Sequence, residues 1–134
     1  MTGASIDRRE AERLTVADVM VKRPKAVQRD ERLGEVRRLF AKPTLRTLVV
    51  LDGDAFYGTL ERGDLPQTAS DDAPAAEFVR TGVETVAPDV PFVEAMPLLE
   101  GNAEGRLVVV DRDGMTLRGL LCLRGDTDEL CLDG

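Results

Sequence analysis

Few side chains in this sequence have the makings of a reactive centre. No histidine occurs among its 134 residues, which removes Ser-His-Asp and Cys-His catalysis and every histidine-based zinc site. The two cysteines, Cys122 and Cys131, do not form a CxxC pair. Cys122 lies in the apolar run Leu120-Leu121-Cys122-Leu123 and reads as a buried thiol, whereas Cys131 belongs to the terminal Glu129-Leu130-Cys131-Leu132. So small a number, with no secretion signal, argues against a disulfide framework. Paired carboxylates at Asp52 and Asp54, and at Asp111 and Asp113, could offer oxygens to a hard cation. Neither pair fits EF-hand spacing, and Asp and Gly are good turn formers, so Gly53 and Gly114 read as turn glycines. No GxGxxG or P-loop pattern cradles a phosphate. Arg46, Arg62, Arg106 and Arg124 fall near strand ends where a phosphate could be met, although surface ion pairing is the ordinary use of such residues. With no nucleophile beside a base and no metal constellation, the expectation is that the chain is not an enzyme.

The elements that must position these residues come twice. A shift of 59 residues superposes Val27 on Val86, Asp30 on Asp89, Glu35 on Glu94 and Leu39 on Leu98. It also places the run Leu48-Val49-Val50 on Leu107-Val108-Val109, and Asp52 on Asp111. After a two-residue insertion Gly58 meets Gly119 and Leu60 meets Leu121. A duplicated unit is the first thing to establish, because it sets the whole architecture.

In the first repeat residues 16–20 predict a short opening helix, broken by Pro24. A brief strand follows over 25–28. Asp30 is placed to cap a helix burying Leu33, Val36, Leu39 and Phe40 at helical spacing, ended by Pro43. The apolar run 45–51 predicts a strand covered on both faces, and Asp52-Gly53-Asp54 turns it into a second strand over 55–60. A last short helix spans 62–65. The second repeat gives an opening helix over 74–79, a strand over 84–87, and a helix capped by Asp89 that buries Phe92, Ala95, Leu98 and Leu99. A hairpin of 106–110 and 116–121 completes it. Pro97 falls inside that second helix, where a missing N–H predicts a kink. The segments are 1–13 as an N-terminal extension, 14–66 as repeat one, 67–73 as a polar linker, 74–126 as repeat two and 127–134 as an acidic tail. Each repeat is too small to bury a secure core alone, so the two should pack together.

This doubled order of helix, strand, helix, strand, strand, helix, an α/β (α+β) arrangement, resembles the tandem CBS domain pair, or Bateman module. Val16-Ala17-Asp18-Val19-Met20 is similar to the family's opening V-x-D-V-M. Leu48-Val49-Val50-Leu51-Asp52 and Arg106-Leu107-Val108-Val109-Val110-Asp111 resemble its R-L-P-V-V-D strand, with Val49 and Val108 in place of the usual Pro. Gly58-Thr59-Leu60-Glu61-Arg62-Gly63-Asp64-Leu65 resembles its closing G-h-h-[ST]-x-x-D-L, where h is apolar. The resemblance covers residues 14–126. It implies a pseudo-twofold regulatory module with clefts between the repeats for an adenine-containing ligand, AMP, ADP, ATP or S-adenosylmethionine, and no required cofactor. Carried onto this sequence, the ligand residues are Lys25, Ala26, Val27, Leu60, Glu61, Arg62 and Asp64, then Thr85, Val86, Arg106, Leu121 and Cys122. Asp64 takes the ribose position, since a carboxylate accepts both hydrogens of a cis-diol.

Two departures keep a second function open. Glu61 stands where the family has Ser or Thr, and a carboxylate facing a phosphate costs roughly 1 kcal/mol or more. In the second repeat Cys122 replaces the hydroxyl residue and Gly125 falls where the Asp belongs, with Asp126 one place late. The alternative to a nucleotide sensor is therefore a CBS pair with degenerate sites, acting as a dimerisation or protein-interaction adaptor. The family resemblance implies a homodimer in either case, and a regulated protein that the sequence does not name.

Bulk properties fit a protein free in the cytoplasm. The net charge of −7 disfavours nucleic acid, which needs a concentrated positive field. Acidic residues are interspersed with Arg8, Arg9 and Arg13, and with Arg37, Arg38 and Lys42, which read as solvated helix faces. No run approaches the ~18 apolar residues of a membrane span, and the polar first residues are no signal peptide.

Overall fold

The computed structural model describes residues 5–123 and 129–131. In chain order the elements are β1 (Ser5–Asp7), α1 (Arg8–Ala11), α2 (Val16–Val19), β2 (Ala26–Gln28), α3 (Leu33–Phe40), β3 (Thr47–Asp52) and β4 (Ala55–Glu61). After 3-10 turns at Arg62–Asp64 and Ala75–Glu77 come β5 (Thr85–Val86), α4 (Phe92–Glu100), β6 (Arg106–Val110), β7 (Leu117–Cys122) and β8 (Glu129–Cys131). They divide into two compact units, Lys25–Val83 and Met1–Pro24 with Glu84–Gly134. Both are small mixed sheets with helices, the α+β class expected.

In the unit Lys25–Val83, β2 runs parallel to β3 and β3 antiparallel to β4. Residues Thr47 to Val50 are all buried, as a strand covered on both faces requires. Leu48, Val50 and Leu60 from the sheet meet Leu33, Val36 and Phe40 of α3 and Ala75 of the following 3-10 turn. Gly53, with a φ of 64°, makes the hairpin turn where a side chain would be strained. The other unit repeats the order β5-β6-β7. Phe92, Ala95, Met96 and Leu99 of α4 pack there on Leu107, Val109 and Leu121, with Val16 and Val19 of α2.

The units of packing are offset from the repeats of sequence. Residues 16–24, which open the first repeat, belong to the unit of β5-β6-β7, and residues 75–83 belong to the unit of β2-β3-β4. Backbone hydrogen bonds fix each of these segments. Thr59 N–H donates to the Arg80 carbonyl at 3.0 Å and Arg80 N–H returns to Thr59 at 2.8 Å. Val21 and Leu120 exchange bonds of 2.8 and 3.0 Å in the same way. Each approach needs a glycine. A Cβ on Gly58 would sit 2.4 Å from the Arg80 carbonyl oxygen, and one on Gly119 would sit 2.5 Å from that of Val21.

The expected caps are corrected. Asp30 and Asp89 do not cap the long helices, whose N-cap positions are Arg32 and Pro91 without side-chain capping bonds. Backbone carbonyls serve instead. Leu33 and Gly34 N–H donate to Ala73 and Asp71, and Phe92 N–H donates to Leu14, each at 2.8 to 2.9 Å. Asp89 pairs with Arg112 at 2.9 Å. The segment between the repeats is tied down as well, with Arg37 donating to the carbonyls of Pro66 and Ala69 at 2.8 Å and to Asp71. The helix α4 continues through Pro97 to Glu100, because Pro97 and Val93 lie on its exposed side and the unbonded Val93 carbonyl can face water.

The chain ends hold structure that no periodic pattern announced. β1 and β8 pair antiparallel, Ile6 opposite Leu130, and Ala11 and Leu130 are wholly buried in the core of their unit. The cysteines are not unpaired thiols: Cys122 and Cys131 form a disulfide, their Cα atoms 5.2 Å apart. The bridge Leu123–Leu130 folds β8 back beside β7, bringing the two sulfurs together across nine positions of chain.

Gly58→Ala and Gly119→Ala should each lower stability by about 1–3 kcal/mol or prevent folding, since backbone must move to admit the new carbon. Gly63→Ala, with nothing within 4 Å of its Cβ, should be near neutral. Urea unfolding of the three variants checks the contrast.

Candidate ligand-binding site

The closing residues of the first repeat gather where β4 ends. Thr47 begins β3 directly opposite Glu61, the last residue of β4. The Thr47 hydroxyl donates to the Glu61 carboxylate, 2.9 and 2.7 Å from its two oxygens, and both side chains are under a tenth exposed. Glu61 therefore turns into the protein rather than standing at the surface. Its backbone N–H donates to Asp64 Oδ2 at 3.0 Å across the 3-10 turn Arg62–Asp64.

Asp64 has a second partner. Arg80 grips its carboxylate through both faces of the fork, Nε to Oδ2 at 2.9 Å and Nη2 to Oδ1 at 2.8 Å. The exchange of backbone bonds with Thr59 delivers Arg80 to this point. The Asp64 side chain is 19% exposed and that of Arg80 44%, so the pair lies at the solvent boundary.

Lys25, Ala26 and Val27 enter the same end of the sheet on β2. Ala26 stands opposite Val49, which stands opposite Thr59, so Lys25 is in the row of Leu60. These three residues line a groove of about 360 Å³ with Gln28, Glu31, Glu35, Leu39 and Leu51, on the opposite edge of the sheet from β4, and neither Glu61 nor Asp64 lines it. Leu60 itself is fully buried, main chain included, within the sheet opposite Leu48. Arg62 serves the fold: its guanidinium donates to the carbonyls of Phe40, the last residue of α3, and of Lys42 and Leu45 beyond it, and lies 5.4 Å from the Phe40 ring centre. Arg46 is exposed.

The second repeat builds a different place from corresponding positions. Arg106 stands opposite Cys122 as Thr47 does opposite Glu61. Arg106 donates to the carbonyls of Glu104, Gly105 and Leu123 at 2.9 to 3.2 Å, and Cys122 is bonded to Cys131. Thr85 and Val86 lie on β5 across β6, and Leu121 is fully buried. Arg124, Gly125 and Asp126 lie outside the described residues.

The hairpin acids act as turn formers. Asp113 accepts from Thr116 and Met115 N–H and from the Thr116 hydroxyl at 2.7 to 2.9 Å. Those bonds, the Thr116 N–H foremost, hold its carboxyl below the ordinary value. Asp52 faces Arg29 and Asp111 faces Arg118. No cluster of three or more metal-ligating side chains occurs among the described residues.

Sequence reasoning missed Thr47 and Arg80. Arg80 aligns with Val21 in the repeat and Thr47 with Arg106, so neither position repeats in kind and only the fold brings them to Glu61 and Asp64.

Comparison with known proteins agrees with this construction. The CBS domain pattern matches residues 16–67 and 75–124, and the chain belongs to the CBS domain family as a tandem pair. The uncharacterized protein MJ1232 of Methanocaldococcus jannaschii is 28% identical over 99 residues, which cover 73% of this chain and only 33% of that protein. The chain thus spans about a third of that relative. CBSX2, a CBS-pair protein of Arabidopsis thaliana, superposes with a TM-score of 0.70 at 22% identity over 81% of this chain and 87% of its own, and CBSX2 has also been solved in complex with AMP. The cytosolic domain of the Mg²⁺ channel MgtE, solved with ATP, gives 0.69 at 25% identity over 85% of this chain and 48% of that one. Across the described residues of this chain, no helix is long and apolar enough to cross a membrane.

Thr47→Val removes the hydroxyl donor to a buried carboxylate and should cost about 1–3 kcal/mol. Thr47→Val with Glu61→Leu should recover much of that loss. Identical urea midpoints for wild type and Thr47→Val would contradict the arrangement.

Proposed function

We propose that this protein is a non-catalytic regulatory module that takes an adenine-containing nucleotide at the closing end of the first repeat, with Asp64 accepting the ribose hydroxyls. The observation that carries the reading is the bidentate Arg80–Asp64 pair. Two guanidinium N–H groups occupy the carboxylate as the two O–H groups of a cis-diol would, so one can replace the other. The pair lies at the solvent boundary, the Asp64 side chain 19% and that of Arg80 44% exposed, where a diol can reach the carboxylate. Arg80, whose guanidinium lies against that carboxylate, places a cation beside the phosphates. Glu61 does not oppose this, because its carboxylate is turned onto Thr47. Lys25, Ala26 and Val27, in the rows of Leu60 and its neighbours, offer backbone and an apolar edge to the base. The AMP complex of CBSX2 and the ATP complex of MgtE support the ligand class. A dimer in the cytoplasm and a regulated partner protein complete the proposal, and Val93, 54% exposed on α4, offers apolar surface for the dimer contact.

The second repeat favours a second reading. There the position of the hydroxyl residue is spent on the bond to Cys131, as expected of a pair that works as a dimerising adaptor without a ligand.

Thermal unfolding against AMP, ADP, ATP and S-adenosylmethionine separates the two. A ligand at a hundred times its dissociation constant should stabilise the native state by about 2.7 kcal/mol, and Asp64→Asn should abolish that gain. A flat response across all four would leave the adaptor. Light scattering after gel filtration should give twice the chain mass; a clean monomer would remove the dimer.

A further inference from the structure

We propose that the Cys122–Cys131 disulfide is a reversible redox latch that decides whether the terminal strand β8, and β1 with it, stays seated on the core of its unit. The inference is independent of the nucleotide reading. The bond joins the end of β7 to the end of β8, two buried residues whose Cα atoms are 5.2 Å apart, within the ordinary disulfide range. Among the described residues, little else holds β8. It makes a three-residue pairing with β1, the single bridge Leu123–Leu130, and the burial of Leu130. In turn, among the described residues, β1 has only β8 beside it in its sheet.

The chemistry is a thiol–disulfide exchange with a dithiol reductant. One reductant thiolate attacks a sulfur of the pair and the S–S bond breaks, leaving a mixed disulfide and one released cysteine thiolate. The second reductant thiolate then attacks the reductant's own sulfur in the mixed disulfide, breaking that S–S bond and expelling the second cysteine thiolate. The reductant ends as a disulfide, having given up two electrons and two protons, and Cys122 and Cys131 end as two thiols. Once cut, β8 exchanges between seated and lifted states, and lifting uncovers Leu130 together with Ile6, Ala11 and Leu14, which pack in the same cluster. The disulfide joins the end of β8 to the end of β7 and spans none of the pairings within β5-β6-β7. Its leverage falls on the terminal strands.

Hydrogen exchange on the full chain, air-oxidised and then reduced with dithiothreitol, tests the latch. Closing a ring over nine residues suppresses opening by about a hundredfold, so reduction should accelerate exchange in β1 and β8 by up to that factor while β6 amides stay protected. Cys131→Ser should exchange fast at β1 and β8 and ignore dithiothreitol; should that variant fail to fold, the reduced wild type decides alone. Two alkylatable thiols after oxidation, unchanged exchange on reduction, or equal acceleration in β6 would each overturn the proposal, the last by making the bond a general staple.

Discussion

Two backbone crossings support the rest of the structure. At Gly58 and at Gly119 a strand lies so close to a segment from the other sequence repeat that a methyl group would meet a carbonyl oxygen at 2.4 to 2.5 Å. The approach lets Thr59 pair with Arg80 and Leu120 with Val21, and so each sheet carries the opening segment of the other repeat. Neither repeat owns all of its core. The short 3-10 turn Ala75–Glu77 and the helix α2, too brief to be stable alone, are held because Ala75, Val16 and Val19 are fully buried against sheets they do not adjoin in sequence.

The candidate site inherits its geometry from the first crossing. Arg80 reaches Asp64 because its backbone is already bonded to Thr59, two positions before Glu61. The capping contact from Glu61 N–H to Asp64 then orients the carboxylate. Glu61, the residue that departs from the family pattern, is accommodated by Thr47, which departs from the sequence of the matching repeat position. A buried carboxylate without such a donor would be costly. The pair of substitutions is thus mutually consistent, and it holds the Glu61 carboxylate inside the protein. At the equivalent place in the other repeat, Arg106 and Cys122 have settled into carbonyl bonds and a disulfide instead.

Much of this was legible before any coordinates. The shift that superposes Val27 on Val86 and Gly58 on Gly119 reveals the duplication, and the apolar runs ending in Asp-Gly turns give the hairpins almost to the residue. Helical spacing also located α3 and α4. What failed had a common cause, dependence on distant chain. Asp30 and Asp89 look like caps locally, yet the carbonyls of Ala73, Asp71 and Leu14 took that work. Three-residue strands such as β1 and β8 are too short to show alternation, and the disulfide follows only from folding β8 beside β7. The same holds for Arg80, whose identity as an arginine gives no sign of what it will grip.

The Arg80–Asp64 pair is the point on which the functional account turns, and NMR can watch it directly. Titration of AMP or ATP into ¹⁵N-labelled protein should move the Arg80 Nε–H resonance first and furthest, as its bond to Asp64 gives way, with the amides of Glu61 and Asp64 following. A saturated titration in which these signals stay still would contradict the account, whatever changes elsewhere in the spectrum.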